Sequence, residues 1–347
     1  MNILIIRISA IGDVLHTLPA VKLLRHAFPK ATFHWVVQKK AHLLLKDQPF
    51  VHHTILLPDK PLHPKNWVAT YTVIKKLRTI QWDAIIDFQG ILKSFVLYGS
   101  LAGNKFGFSF KSARSKLIAL STNYHTTVPE NSNVIAKNLA LASDVITKLI
   151  PTYTTSPTIP ELQTLFTFTI PSASKEWVET FFSSHLNGIK PIMISPNTTW
   201  DSKHWPLTSW EELISKLIAH GYFVVLLGAH MGGQAKELAQ IKNDHFFVAP
   251  AFDLLQTAYA LSFAHVLLAP DTGILHLADA LSVPAIGIFC PTSAKKHGPW
   301  LTEENKKLVI QISCPHTYQK YHETIDCMEQ LTVQAFLQHI LTQKPRA

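Results

Sequence analysis

Cysteine is scarce in this chain of 347 residues, which contains only Cys290, Cys314 and Cys327. Three cysteines are too few for a disulfide framework, and their odd number is typical of reduced thiols. The N-terminus also lacks a basic leader followed by an apolar segment and a small-residue cleavage site. Together these absences predict a cytoplasmic protein.

Long apolar runs and blocks of basic residues are missing as well. No apolar stretch approaches the 18 or so residues of a spanning helix, so we expect any membrane contact to be peripheral. The formal charge of +9 is spread along the chain. Diffuse positive charge suits an anionic ligand, an anionic membrane or nucleic acid. Because no DNA- or RNA-binding motif is present, we expect no nucleic-acid partner. A dehydrogenase is disfavoured, since no Gly-x-Gly-x-x-Gly follows a strand.

What the sequence does contain is an alternation of short aliphatic runs with helical patterns, which predicts an α/β protein with parallel sheets. Its length favours two domains. We place them at residues 1–165 and 170–328, joined by the Pro- and Thr-rich stretch Pro151–Thr169. A last helix, at about 329–345, is expected to pack back on the first domain. The predicted strands are Asn2–Ile8, Thr32–Val37, His53–Leu57, Ala84–Asp87, Lys105–Phe108, Ile192–Pro196, Phe223–Leu227, Phe246–Ala249, His265–Ala269 and Ala285–Phe289.

The stretch Ser9–Thr17 follows the first strand and opens a helix, with the carboxylate of Asp13 at the junction. Ligands of open α/β sheets bind at the carboxyl ends of the strands. Asp13 is therefore a candidate for chemistry in a cleft. The alternative is a helix N-cap, a position at which Asp is common.

A similar junction occurs at Asp271–His276, where Asp-Thr-Gly-Ile-Leu-His follows a strand and begins a helix. Free N–H groups and the helix dipole favour a phosphate there, and Gly273 permits close approach of a diphosphate. An Asp N-cap beside a tight-turn glycine is the alternative.

Two further segments follow strands in the same way. Asn197–Pro206 contains Lys-His-Trp-Pro, in which Lys203 is suited to neutralise charge on a leaving diphosphate without a metal. The alternative is that Lys203 is an exposed cation in a loop. Asp87–Ser94 reads Asp-Phe-Gln-Gly-Ile-Leu-Lys-Ser. We expect Gln89 and Gly90 to border a cleft and Lys93 and Ser94 to meet an anionic acceptor. A helix-packing role is an equally good alternative for Gly90 and Ser94.

Two sets of side chains are weaker candidates. Lys111, Arg114 and Lys116 form a basic cluster after the fifth strand. In the tail, a zinc set is conceivable but its spacing is poor, so we expect no metal. That set is Cys314, His316, His322 and Cys327.

The four strand-end motifs, taken in their order along the chain, resemble those of the lipopolysaccharide heptosyltransferases of glycosyltransferase family 9, and within it the heptosyltransferase I type. The resemblance implies a GT-B fold, with two facing Rossmann-like domains and a cleft between them. It implies an inverting transfer of L-glycero-D-manno-heptose from ADP-heptose to the Kdo of Kdo-lipid A, by a monomer at the inner face of the inner membrane. No cofactor is expected beyond this donor substrate.

The resemblance also implies roles for residues. Asp13 corresponds to the catalytic base and Lys203 to the group that stabilises the leaving diphosphate. The implied donor-binding residues are Thr198, Thr199, Lys203, Asp271, Thr272, Gly273 and His276. The implied acceptor-binding residues are Gly12, Gln89, Lys93 and Arg114.

The chain departs from the family pattern at two places. Cys290 precedes Pro291 where the family has Gly, and Gly228–Glu237 lacks an acidic residue at the position that commonly holds the donor ribose. Ribose binding by Gln234, by the backbone or by Glu237 therefore stays open. Other functions also stay open: a heptosyltransferase II-like or other GT-B nucleotide-sugar enzyme, or a non-catalytic nucleotide- or lipid A-binding protein.

Overall fold

The computed structural model describes residues 1–46, 48–153, 170–299, 309–311 and 326–342. The chain divides into two compact units, Met1–Thr169 and Ile170–Ala347. Most of the predicted linker, residues 154–169, lies outside the described part.

The first unit is built on a parallel sheet of six strands in the order β3-β2-β1-β4-β5-β6. The strands are β1 Asn2–Ile6, β2 Thr32–Gln38, β3 His53–Leu57, β4 Ala84–Asp87, β5 Asn104–Phe108 and β6 Tyr124–Thr126. The helices are α1 Ile11–Leu15, α2 Leu18–Ala27, α3 Lys39–Leu45, α4 Trp67–Arg78, α5 Leu92–Tyr98 and α6 Val134–Leu149, with 3-10 turns at Pro64–Asn66 and Lys116–Ser121.

The second unit repeats this topology, because its sheet has the order β12-β11-β10-β7-β8-β9. The strands are β7 Ile192–Ile194, β8 Val224–Leu226, β9 Phe246–Val248, β10 Val266–Pro270, β11 Ala285–Phe289 and β12 Val309–Gln311. The helices are α7 Ser172–Leu186, α8 Leu207–Ala219, α9 Gly233–Leu238, α10 Leu254–Ala260, α11 Gly273–Ala280, α12 Ala294–His297, α13 Asp326–Glu329 and α14 Val333–Thr342. Three-residue 3-10 turns lie at Asp201–Lys203, Ala229–Met231 and Leu261–Phe263.

All ten predicted strands are confirmed within two residues, and the α/β class with two doubly wound sheets is confirmed with them. Strands that are buried on both faces of a parallel sheet form continuous aliphatic runs, which makes them visible in the sequence. The two that were missed, β6 and β12, are three-residue strands at sheet edges. Neither Tyr124–Thr126 nor Val309–Gln311 is a continuous aliphatic run.

The last helix differs from its prediction. We expected it on the first domain, but the buried face of α14 lies in the core of the second unit, where Phe336 packs 4.8 Å from the ring of Trp205. The Trp205 indole also donates to the carbonyl of Leu331. The apolar stripe of α14 is therefore used to complete the sheet-helix layer that α8 begins.

Among the described residues, no helix is both long and apolar enough to cross a bilayer.

Candidate functional site

Asp13 lies in the first turn of α1, immediately beyond the carboxyl end of β1. The N-cap of that helix is Ala10, and no side chain caps it. The N-cap interpretation of Asp13 is therefore wrong. Its carboxylate contacts two arginines instead.

Arg7 and Arg114 hold the Asp13 carboxylate from two sides. The buried Arg7 guanidinium lies 2.9 Å from Oδ1 and also donates through Nε to the Asp13 main-chain carbonyl at 3.1 Å. Arg7 donates a further bond to the carbonyl of Phe88. The half-exposed Arg114 donates to both carboxylate oxygens, at 3.2 and 3.3 Å. The orientation of the carboxylate is thus fixed by one buried arginine, Arg7, and by one half-exposed arginine, Arg114.

The charges around Asp13 decide its protonation state. Burial alone raises the pKa of this carboxyl group, but Arg7 and then Arg114 outweigh burial and lower the pKa to about 2. Burial lowers the pKa of Arg7, and the Asp13 charge opposes that shift. Asp13 is consequently ionised at every pH at which the protein would work.

The segment after β4 is tied to the same place. Gln89 Oε1 accepts from the main-chain N–H of Ile8 at 2.9 Å, which joins the β4 loop to the β1 loop. Asp87 is buried, accepts from the N–H groups of Gln89 and Gly90, and accepts from the Ser94 hydroxyl at 2.8 Å. Burial raises the pKa of Asp87, although these hydrogen bonds oppose the shift.

Of the other implied acceptor residues, Lys93 is brought to the site and Gly12 is part of its backbone. Lys93 Nζ donates to Ser9 Oγ at 2.7 Å, and burial lowers its pKa while the Asp13 charge opposes that change. Gly12 is buried in α1, where its carbonyl accepts from His16. The carboxyl edge of the first sheet therefore combines the carboxyl groups of Asp13 and Asp87 with three basic side chains, Arg7, Lys93 and Arg114.

In the second unit, Lys203, Asp271 and His276 form a buried polar group. Lys203 Nζ lies 2.7 Å from Asp271 Oδ2 and donates to the Asp271 carbonyl at 3.0 Å. His276 Nε2 lies 3.0 Å from the other carboxylate oxygen. Burial favours the neutral acid, but His276 and Lys203 outweigh it and hold the pKa of Asp271 well below its usual range. Neither the N-cap interpretation of Asp271 nor the exposed-cation interpretation of Lys203 is correct.

Lys203 also lies 4.6 Å from the centre of the Trp200 ring, so its ammonium group contacts a carboxylate and an aromatic face. Its position is fixed by the 3-10 turn Asp201–Lys203. These contacts fix the Lys203 side chain at the edge of the second sheet.

The N-terminus of α11 is available to an anion. Thr272 is the N-cap, yet its side chain makes no cap bond and its hydroxyl donates to the Pro270 carbonyl at 3.2 Å. Gly273 follows at the first helical position. N–H groups at such an end, together with the helix dipole, form a phosphate-binding arrangement.

Thr198 and Thr199 lie between β7 and the 3-10 turn that carries Lys203. Thr199 is exposed, whereas Thr198 Oγ1 accepts a long hydrogen bond from the Trp200 N–H at 3.4 Å. Both are in the segment that connects the strand edge to Lys203.

The glycine-rich stretch after β8 is held by Asn197. Its side chain donates to the carbonyls of Gly228 and Gly232 at 3.2 and 2.9 Å and accepts from the Ala235 N–H at 3.0 Å. Gln234 donates to the Trp205 carbonyl at 2.8 Å, and Glu237 is exposed. The amide nitrogen of Gln234 is therefore bonded to the protein's own backbone.

Sequence reasoning missed two residues that build these sites. Arg7 was visible as the one charge in the apolar run Asn2–Ile8, and a charge in such a run requires a partner. Asn197 carried no comparable signal, because an Asn after a strand is ordinary turn chemistry.

The tail adds little to the site. Cys314, His316 and His322 lie outside the described residues, and Cys327 is buried in the second core. Within the described ranges, no group of three or more His, Cys, Asp or Glu side chains is placed to hold a metal ion. Cys290 follows β11, is buried in the second core and precedes a cis proline, Pro291.

Comparison with known proteins identifies a family. The model of "Glycosyltransferase family 9 (heptosyltransferase)" matches residues 70–327. The chain is 29% identical over 311 residues to lipopolysaccharide heptosyltransferase 1 of Salmonella typhimurium, covering 84% of this chain and 89% of the relative.

Solved structures agree with this similarity. E. coli heptosyltransferase WaaC with ADP has a TM-score of 0.76 at 25% identity and covers 99% of both chains. The same enzyme with ADP-2-deoxy-2-fluoro heptose gives 0.74, again at 25% identity and 99% coverage of both.

Proposed function

The chain belongs to glycosyltransferase family 9, and from this premise we propose that it transfers L-glycero-D-manno-heptose from ADP-heptose to the Kdo of the lipopolysaccharide inner core. The observation that carries the proposal is Asp13, a fixed and ionised carboxylate at the carboxyl edge of the first sheet. The named relatives supply the donor and the reaction class.

Asp13 acts as the general base. An acceptor hydroxyl attacks the anomeric carbon, its proton passes to the Asp13 carboxylate, and the bond to the β-phosphate breaks to release ADP with inversion. A pKa of about 2 makes the resting carboxylate a weak base. An anionic acceptor that draws away the half-exposed Arg114 raises that pKa and so activates the base when the acceptor binds.

The second unit binds the donor. The N-terminus of α11, at Thr272 and Gly273, takes the diphosphate, and Lys203 stabilises the charge that develops on departing ADP. Asp271 and His276 position Lys203. Thr198 and Thr199 complete the donor side, and this arrangement needs no metal.

The first unit binds the acceptor. Lys93 and Arg114 offer positive charge to an acidic sugar, and Gln89 and Gly12 shape the loops between them. The protein works as a monomer at the cytoplasmic face of the inner membrane, where a lipid-linked Kdo acceptor and anionic lipid are both present.

The proposal is tested by ADP release from ADP-heptose in the presence of Kdo-lipid A. We expect release that depends on the acceptor. Absence of transfer to every Kdo-bearing acceptor would contradict the proposal.

Asp13→Ala tests the assigned base. Removal of a general base lowers turnover by roughly 10²- to 10⁴-fold. Because Asp13 lies in the first unit, ADP affinity in calorimetry is expected to change little. A variant with near-wild-type turnover would exclude this role.

A heptosyltransferase II-like acceptor preference is the second candidate, because the site chemistry is the same for either acceptor. The two are separated by assays of Kdo-lipid A against an acceptor that already carries one heptose.

A further inference from the structure

One surface of the first unit lies apart from the proposed chemistry and is unusually apolar for its exposure. It comprises Leu62, Lys65, Trp67, Val68, Tyr71 and Lys75, and we call it the Trp67 surface. Val68 is 81% exposed, Trp67 62% and Tyr71 59%. Large apolar side chains clustered at such exposure mark an interaction site rather than chance scatter.

Hydrogen bonds and packing fix the conformation of the Trp67 surface. The Trp67 indole donates to the Leu62 carbonyl at 2.9 Å, and Thr70 Oγ1 donates to the Pro61 carbonyl at 3.0 Å. The opposite face of α4 is anchored by the buried Ile74 and Leu77. Trp67, Val68 and Tyr71 are therefore held outward by a fixed loop and helix.

Its charge is of one sign. The stretch from residue 59 to residue 78 contains one acidic side chain, Asp59. Its basic side chains are Lys60, Lys65, Lys75, Lys76 and Arg78. An aromatic and aliphatic cluster surrounded by lysines is the composition of a helix that lies in the interface of an anionic bilayer.

Its place in the fold connects it to the acceptor side. β3 ends at Leu57 and α4 begins at Trp67, so the start of α4 lies at the carboxyl edge of the first sheet. Asp13 follows β1 at that edge, and only β2 separates β1 from β3. Two strand spacings amount to about 10 Å.

We propose that the Trp67 surface docks this protein on an anionic lipid bilayer, with Trp67, Val68 and Tyr71 entering the headgroup region and the lysines contacting lipid phosphates. The docking chemistry depends only on this surface. Its use, which rests on the proposed function, is to bring the sugar of a lipid-anchored acceptor to the edge at which Asp13 lies.

The experiment is sedimentation of the full chain with vesicles of phosphatidylcholine, with or without about one third phosphatidylglycerol. We expect binding to the anionic vesicles and little binding to the neutral ones. Val68→Asp places a charge at the most exposed apolar position and is expected to weaken binding about tenfold. The double variant Lys65→Gln, Lys75→Gln is expected to weaken it about 25-fold, at about fivefold for each lysine.

Leu120→Asp is the matched control. Leu120 is 78% exposed in the same unit but lies in the turn that leads into β6, at the amino edge of the sheet. Its binding should equal that of the wild type. All variants should keep wild-type turnover on a Kdo acceptor that has no lipid chains.

Several results would overturn the proposal. These are unchanged anionic-vesicle binding by Val68→Asp, equal loss in Leu120→Asp, or equal binding to neutral vesicles. A dimer that Val68→Asp abolishes, without vesicle binding, would assign the surface to a second copy of the chain. If the vesicle results hold but the wild type transfers no heptose, the proposed function fails and the docking surface stands.

Discussion

At the scale of single residues, the two candidate sites share one feature: Asp13 and Asp271 are each held by two basic side chains. Asp13 is held by Arg7 and Arg114, and Asp271 by Lys203 and His276. A buried charge requires such partners, so the loss of one partner has effects that a surface ion pair would not show.

Arg114→Ala is predicted to change the pH dependence of transfer. The variant removes one of the two charges that hold the pKa of Asp13 at about 2, so this pKa rises toward its ordinary value of 3.8. A base must be ionised to accept a proton, and kcat/KM therefore begins to fall at a higher pH as the solution is acidified. Rate profiles from about pH 6 down to about pH 2.5 cover the interval between the two pKa values and check this. Lys111→Ala, an exposed cation on the same loop, is the control. The prediction is refuted if kcat/KM of Arg114→Ala and of the wild type falls at the same pH.

Lys203→Met is predicted to destabilise the second unit, because it leaves the Asp271 carboxylate buried beside His276 alone. We expect the free energy of unfolding to fall by about 3–5 kcal/mol, the usual cost of breaking a buried pair. Urea denaturation measures this change. The double variant Lys203→Met, Asp271→Asn removes both charges and should recover most of that loss. ADP affinity should remain weak in both. Recovery of ADP binding in the double variant would show that Lys203 does not contact the diphosphate.

The sequence indicated the residues of these sites more completely than their contacts. Lys203 and Asp271 were singled out separately, but 68 positions separate them, and only the adjacency of β7 and β10 brings them together. Similarly, Arg114 reaches Asp13 across 101 positions. Pairing at such distances follows from the sheet order, which no local pattern encodes.

At the scale of elements, apolar runs were sufficient to predict every central strand and the edge strands β3 and β9, whereas β6 and β12 carry no such run. The apolar pattern also did not show which unit α14 packs against. Its apolar stripe predicted that it packs on something, and both domains offered an apolar layer. The core formed by Trp205, Trp210 and Phe336 decides in favour of the second unit.

Phe336→Ala is predicted to lower the free energy of unfolding of the second unit by about 3–5 kcal/mol, the usual cost of removing a buried phenyl ring. Leu341→Ala, at an exposed position on the same helix, should stay within about 0.5 kcal/mol of the wild type. Urea denaturation gives both values. Equal stability of the two variants would mean that α14 does not support this core.

At the scale of the whole molecule, two sheets of one topology carry different chemistry. The first edge has a carboxylate among cations and the second has an open helix N-terminus beside a buried lysine. Nucleotide binding is therefore expected to change the second unit and to leave the first unit unchanged.

ADP is predicted to slow amide hydrogen exchange at residues 198–203 and 271–276 and to leave α4 unchanged. Ligand that binds only the folded state at 100 times Kd stabilises it by about 2.7 kcal/mol, which sets the scale of the protection. Adenosine lacks phosphates and should protect the start of α11 much less. Protection confined to the first unit would contradict the donor assignment.

The repeated strand order also bears on how such a protein diversifies. Each half holds its own layered core and its own group of charged side chains at the sheet edge, so a mutation that alters recognition in one half need not disturb the other. Consider a chimera joined at 169/170 whose carboxy-terminal portion comes from a relative of different sugar preference. We expect it to use the donor sugar of that relative and to keep the acceptor of this chain.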